Sequence, residues 1–182
     1  MLPKPISPYG ASKLAGEAYL SAFAGAYGLN TVSLRFSNVY GPYSYHKGSV
    51  VAKYFRQILN GRELTVYGDG TQTRDFVYVG DLAKAISRTV HSELSGFEVF
   101  NLGSGTETTI NDLIDLIREI VGDAMPPVAY AEARRGEIYR NYTQIDKARS
   151  GLAFNPETKL REGLRRTWEW FTQNRDRLTD SD

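Results

Sequence analysis

Apolar positions recur at helical spacing in several stretches of the chain. Val50, Val51, Tyr54, Phe55, Ile58 and Leu59 form one such run, and Asn60-Gly61 stops it. Ile110, Leu113, Ile114, Ile117 and Val121 line a second helix, which Thr109 opens with Asp112 three residues on, the pattern of a capping box. A third begins after Thr158, with Leu160, Leu164, Trp168 and Phe171 on one side and Arg161, Arg165 and Arg166 on its solvated side. Ser7 followed by Pro8 predicts a helix start, and the stretch from 9 to 27 fills with Ala, Leu, Glu and Tyr before Gly28. Helices are also predicted over 81–91 and, briefly, around Asp146 up to Gly151.

Strands are predicted between them, at 31–36, 64–67, 76–79, 98–102 and near 128–131. The stretch from Asn38 to about Gly48 reads as a loop, and Gly68-Asp69-Gly70 as a tight turn. Strands and helices alternate throughout, so the fold class is α/β.

Composition narrows the function. Hydrophobic residues make up 41% and charged residues 24%, the balance of a globular chain. With 22 Lys plus Arg against 21 Asp plus Glu, the formal charge of +1 argues against nucleic acid as a partner. The absence of cysteine removes disulfides and thiolate chemistry, and two histidines, His46 and His91, make a metal site an unpromising reading. The proline-rich start is unlike a signal peptide, and no run approaches the roughly 18 apolar residues of a membrane span, so the expected compartment is the cytoplasm.

Tyr9 and Lys13 stand one helical turn apart, which puts phenol and ammonium on one face. A neighbouring cation favours the phenolate, as a tyrosine acting as a base near neutrality requires. Tyr43 and Lys47 repeat the spacing, but in a loop after Gly41-Pro42. The surroundings of Tyr9 decide between surface coincidence and chemistry. Ser7-Pro8-Tyr9-Gly10-Ala11-Ser12-Lys13 resembles the catalytic helix of the extended short-chain dehydrogenases, in the branch of nucleotide-sugar epimerases and dehydratases. Further blocks follow in that family's order: 34–42, 65–70, 73–83, Asn101-Leu102-Gly103-Ser104-Gly105 and Arg134-Arg135-Gly136-Glu137.

The resemblance implies NAD as cofactor and a UDP-sugar or other nucleotide-sugar as ligand. It implies Tyr9 as catalytic base and acid, Lys13 as the residue holding the nicotinamide ribose, and Phe36 and Ser37 as the stretch against the nicotinamide. Asn38, Val50 and Thr65 to Tyr67 match substrate contacts; Arg74 and Arg134 match the diphosphate arginines, and Glu137 the acid on the nucleotide ribose. Those types suit those tasks, since a guanidinium fork bonds two phosphate oxygens and a carboxylate accepts from a ribose diol. The plain alternatives are a salt bridge from Arg74 to Asp75 or Asp69, and solvated loop charge for Arg134. Asn141 falls at the position that gates bulk on the sugar, and being smaller than tyrosine it leaves room for N-acetylated sugars.

The family's glycine-rich dinucleotide turn is missing. Gly103-Ser104-Gly105 comes nearest, but Thr108 stands at the third glycine position, so that turn reads as structural. The expectation is therefore the C-terminal part of a doubly wound Rossmann-type sheet plus the small substrate domain. Residues 1–48 carry the catalytic helix and strand, and 49–182 are mainly substrate-binding, with 81–122 returning to the sheet. Such a chain would keep much of the nucleotide-sugar site, lack most of the cofactor site and be inactive alone. The alternatives are a non-catalytic UDP-sugar-binding or self-associating module, or half of a 4,6-dehydratase. An uncovered sheet face further predicts a homo-oligomer.

Overall fold

The structure is a computed structural model and describes residues 3–133, 136 and 138–176. It opens with α1 (Pro8–Tyr27), where Ser7 Oγ accepts the Gly10 N–H at 3.0 Å and Pro8 fills a first-turn position that needs no donor. Gly28 ends the helix in the left-handed conformation, at φ 66°, and donates to Ala24 O. There follow β1 (Thr31–Phe36), β2 (Asn38–Tyr40), α2 (Val50–Leu59), β3 (Leu64–Tyr67), β4 (Thr73–Arg74), β5 (Phe76–Tyr78) and α3 (Val79–Val90). The second half holds β6 (Phe97–Leu102), β7 (Thr108–Thr109), α4 (Ile110–Val121), β8 (Val128–Ala131), α5 (Asp146–Leu152) and α6 (Leu160–Gln173). The capping box at α4 is formed, with Thr109 Oγ1 accepting the Asp112 N–H at 3.0 Å.

Four strand pairs organise these elements. β1 pairs with β6, β2 with β5 and β3 with β8, all parallel, while β4 and β7 pair antiparallel. Parallel partners need crossovers, and helices supply them. The stretch expected as a loop from Asn38 in fact begins with β2, whose partner β5 lies far along the chain. β5 stops at Tyr78 and α3 starts at Val79, one residue earlier and two residues earlier than the pattern suggested. Gly151 does not end α5; the helix runs to Leu152, and Ala153 turns the chain at φ 47°. β4 and β7 are two residues each, too short for alternation to reveal.

Two cores result. One gathers Phe55, Leu64, Val66, Leu113, Ile117, Leu164 and Phe171 from α2, β3, α4 and α6, with Trp168 and Trp170 packed against it. The other gathers Val77, Leu82, Phe100, Leu102, Ala148, Leu152 and Phe154 around β6. Gly163 lets α6 approach β2, because a Cβ there would lie 2.2 Å from Tyr40 Oη. Each buried phenylalanine contributes roughly 1.5–3 kcal/mol relative to exposure. By contrast α1 buries no residue completely. It is pinned to β1 by Glu17, whose carboxylate accepts from Arg35 Nε at 2.6 Å, Arg35 Nη2 at 2.5 Å and Ser33 Oγ at 3.1 Å. The Arg35 guanidinium holds the Glu17 carboxyl below the usual carboxylate range. Tyr19, Phe23 and Tyr27 on α1 remain exposed.

Candidate functional site

Three cavities run in sequence past the end of β1. The first, about 870 Å³, lies between α1 and β1 and is lined by Tyr9, Lys13, Leu14 and Phe36 among others. The second, about 360 Å³, takes Phe36, Ser37, Asn38, Asn101, Asn141 and Gln144. The third, about 260 Å³, takes Asn38, Ser49, Val50, Lys53, Thr65, Tyr67 and Arg74. Phe36 belongs to the first two and Asn38 to the last two, so side chains expected at cofactor, sugar and nucleotide form one row.

At the first cavity the helical spacing does what it predicts. Lys13 Nζ lies over the Tyr9 ring, 5.2 Å from its centroid, and Tyr9 is 72% exposed. The second pair at this spacing is different in kind. Tyr43 packs on Trp170 with centroids 4.9 Å apart, whereas Lys47 Nζ donates to Val39 O at 3.1 Å, so phenol and ammonium have separate partners.

The third cavity gets its floor from strand geometry. Leu64 N–H and Gly68 N–H donate toward β8, to Pro127 O and Ala131 O. In a parallel ladder alternate residues face opposite edges, so the Thr65 and Tyr67 peptide groups face the cavity side. Tyr54 OH reaches Thr65 O at 3.4 Å, and Gln72 Nε2 donates to Tyr67 O at 2.7 Å. The roof is the start of α2. Lys53 N–H begins the intrahelical bonds by donating to Ser49 O, which leaves the first-turn N–H groups of Val50 to Ala52 without intrahelical acceptors. Ser49 Oγ is buried there with no hydrogen-bond partner. Lys53 lies over the Tyr67 ring at 5.1 Å, and Arg74 lines the same cavity while its Nη1 donates to Thr73 O and Ile138 O, each at 2.7 Å. Two cations and a helix N-terminus face a cavity that no described carboxylate lines, an arrangement suited to an anion.

Residues 71–74 fasten the segment that carries Asn141. Thr73 N–H donates to Tyr139 O at 2.9 Å, Asn141 N–H to Thr73 Oγ1 at 3.4 Å, and Thr71 Oγ1 meets Tyr139 OH at 2.7 Å. Arg140 grips Glu107 through Nε and Nη2, and that hydrogen-bonded guanidinium keeps the Glu107 carboxyl below its ordinary range. Asn38 is held from the other side, its N–H and Nδ2 donating to Asp75 O at 2.9 and 3.2 Å.

The structure thus brings Tyr9, Lys13 and Phe36 together, Ser37, Asn38 and Asn141 together, and Asn38, Val50, Thr65, Tyr67 and Arg74 together. Arg134 and Glu137 lie outside the described residues. Sequence reasoning passed over Lys53 and Gln72. The signal for Lys53 was its place one turn after Val50 on the polar side of α2. Among the described residues no group of three or more His, Asp or Glu gathers as a metal site, and no helix is long and apolar enough to cross a membrane.

This parallel-stranded α/β arrangement, with a tyrosine-lysine helix at one end of a row of cavities and a cation-lined cavity at the other, defines a class. The model of the NAD dependent epimerase/dehydratase family matches residues 1–103, and the chain belongs to that family. The crystal structure of a UDP-glucose 4-epimerase from Thermotoga maritima, with UDP-glucose, is 40% identical at a TM-score of 0.88, over 95% of this chain and 56% of that one. A UDP-glucose 4-epimerase of Mycolicibacterium smegmatis is 36% identical over 92% of this chain and 53% of its own length. The UDP-glucuronic acid 4-epimerase of Bacillus cereus, in complex with UDP-glucuronic acid and NAD, is 30% identical with a TM-score of 0.86, over 95% of this chain and 55% of that one. The chain spans about half the length of these relatives. Its fold is that of part of a Rossmann-type epimerase.

Proposed function

We propose that this chain is the nucleotide-sugar-binding, tyrosine-bearing portion of an NAD-dependent UDP-sugar 4-epimerase. The observation that carries the reading is the row of three cavities with Phe36 and Asn38 as shared walls. On it, the nucleotide lies in the α2/β3 cavity, the sugar in the middle one and the nicotinamide beside Tyr9.

Thr65 O and Tyr67 N–H are the base's partners on the strand edge, and Arg74 with the start of α2 takes the diphosphate. Asn38 and Asn141 bond sugar hydroxyls, for which a carboxamide offers both donor and acceptor. Tyr9 removes the proton from the C4 hydroxyl and returns it, with the Lys13 ammonium 5.2 Å from its ring centroid. NAD, when bound, supplies the reversible hydride acceptor at sugar C4. The phenol, ammonium and Phe36 wall fit its nicotinamide-ribose end, while no glycine-patterned turn among the described residues opens on that cavity to cradle a pyrophosphate. Arg134 and Glu137 are carried as the second diphosphate arginine and the ribose acid on family resemblance alone.

In domain terms, residues 1–48 belong with the catalytic helix and strand, and 49–182 are mainly substrate-binding, with 81–122 returning toward the sheet. The isolated chain then binds a UDP-sugar without turning it over. The bare face of α1 makes it a homo-oligomer, and the lack of cysteine agrees with a cytoplasmic protein.

Thermal melting in UDP, UDP-glucose and NAD, each alone, tests the reading. Stabilisation by UDP and UDP-glucose but not NAD is expected, since binding to the folded state raises the melting point by mass action. No shift with either uridine nucleotide contradicts it.

A further inference from the structure

Asp75 is fully buried and follows Arg74, yet its carboxylate is taken up by neutral donors from three separate segments. Oδ1 accepts from Ser37 Oγ at 3.2 Å, Ser104 N at 2.7 Å and Ser104 Oγ at 2.8 Å. Oδ2 accepts from Gly105 N and Thr143 N, each at 3.1 Å. The turn at Gly103 is built around it: a Cβ there would lie 2.5 Å from Asp75 Oδ2 and 3.0 Å from Ser37 Oγ. Five bonds saturate the lone pairs of one carboxylate, so the group is satisfied where it sits. Charge-assisted bonds of this kind are stronger than neutral ones and fix direction as well as distance.

Two of the three segments meet at the middle cavity, and the third, Ser104-Gly105, ties them together through the carboxylate from outside it. Ser37 and Thr143 line it directly, Asn38 and Asn141 are their near neighbours along the chain, and Asn38 is also held by the Asp75 carbonyl. Four carboxamides, Asn38, Asn101, Asn141 and Gln144, face that cavity, a lining that suits a polyhydroxylated ligand. The nucleotide cavity lies to the other side of Asn38, and none of the donors to the Asp75 carboxylate lines it.

We propose that Asp75 is a positioning residue for the sugar subsite, fixing Asn38 and Asn141 across the middle cavity so that the chain reads the sugar of a nucleotide-sugar and not its nucleotide alone. The inference rests on the nucleotide-sugar reading above. Binding energy reaches the sugar only if both walls are preset, because ordering them on contact costs affinity.

The test is isothermal titration of the whole chain, wild type, Asp75→Asn and Ser104→Ala, with UDP and with UDP-glucose. Asp75→Asn turns one acceptor toward donors into a donor, and Ser104→Ala removes one hydroxyl bond from outside the cavity. The expected result is a UDP affinity within about threefold of wild type in both. The UDP-glucose to UDP affinity ratio should fall about tenfold in Asp75→Asn, which is about 1.4 kcal/mol, and less in Ser104→Ala, in the same direction. Loss of both ligands in parallel in Asp75→Asn, with the ratio unmoved in the milder Ser104→Ala, shows a role in folding only and overturns the proposal. An unchanged ratio in both variants overturns it too. If the wild type binds neither ligand, the nucleotide-sugar reading itself fails, a result distinct from failure of the Asp75 assignment.

Discussion

The two ends of the cavity row are built to different degrees of completion. Around the cavity between α2 and β3, the elements α2, β3, α4 and α6 bury Phe55, Leu64, Val66, Leu113, Leu164 and Phe171 at or near zero exposure. At the tyrosine end α1 buries nothing completely and leaves Tyr9, Tyr19, Phe23 and Tyr27 in the open, tied to β1 mainly by polar contacts. A helix gets most of its stability from an apolar face packed on something, and α1 has only one side of a two-stranded sheet to pack on. The difference teaches that the cation-lined cavity and the tyrosine-lysine cavity sit in regions of unequal self-sufficiency. The chain spans about half the length of its relatives.

Substitutions can break or sharpen this contrast. The largest effect is expected in the closed core, where Phe171→Ala should cost about 3–5 kcal/mol in denaturant unfolding, while Phe23→Ala on α1 should stay within about 0.5 kcal/mol. Comparable losses at the two positions would erase the contrast. Next comes Arg74→Met, expected to weaken UDP binding about tenfold or more by titration calorimetry with little change in melting temperature. Lys53→Met should weaken it by a smaller factor, and both variants should flatten the fall of affinity with salt.

A subtler effect concerns pH. The Glu17 carboxyl is held low in the folded chain by Arg35, so its contribution is present above the ordinary glutamate range and fades as the pH falls through the lowered value. Glu17→Gln should therefore melt lower than wild type at pH 7, by an amount worth no more than about 1 kcal/mol for this partly exposed pair, and match it in strong acid. A gap that persists in acid would mean that the carboxylate's charge is not what pins α1. Phe23→Ser combined with Tyr27→Ser should leave stability nearly unchanged but abolish self-association in light scattering. A wild-type chain that is already monomeric would remove the oligomer proposal.

The sequence made the helices most legible where local chemistry marked them, as Ser7-Pro8 and Gly28 do for α1 and Thr109 with Asp112 for α4. Strand β2 was hidden because three residues, Asn38 to Tyr40, carry no readable period, and the partner that makes them a strand lies at Phe76 to Tyr78. For the site, residue types and order pointed to Tyr9, Lys13, Asn38 and Arg74, and the structure places each on the cavity row. Lys53 escaped because a lone lysine on the polar side of a helix looks like any solvated charge. Asp75 was legible only as a neighbour of Arg74, since its donors come from Ser37, Ser104, Gly105 and Thr143, residues that only the fold brings together.

The central claim is that the cavity between α2 and β3 holds the nucleotide of a UDP-sugar. Calorimetric titration of the chain with UDP tests it most directly. Saturable one-to-one binding that Arg74→Met weakens at least about tenfold is the predicted result. Absence of saturable binding, or binding that Arg74→Met leaves untouched, would contradict the account.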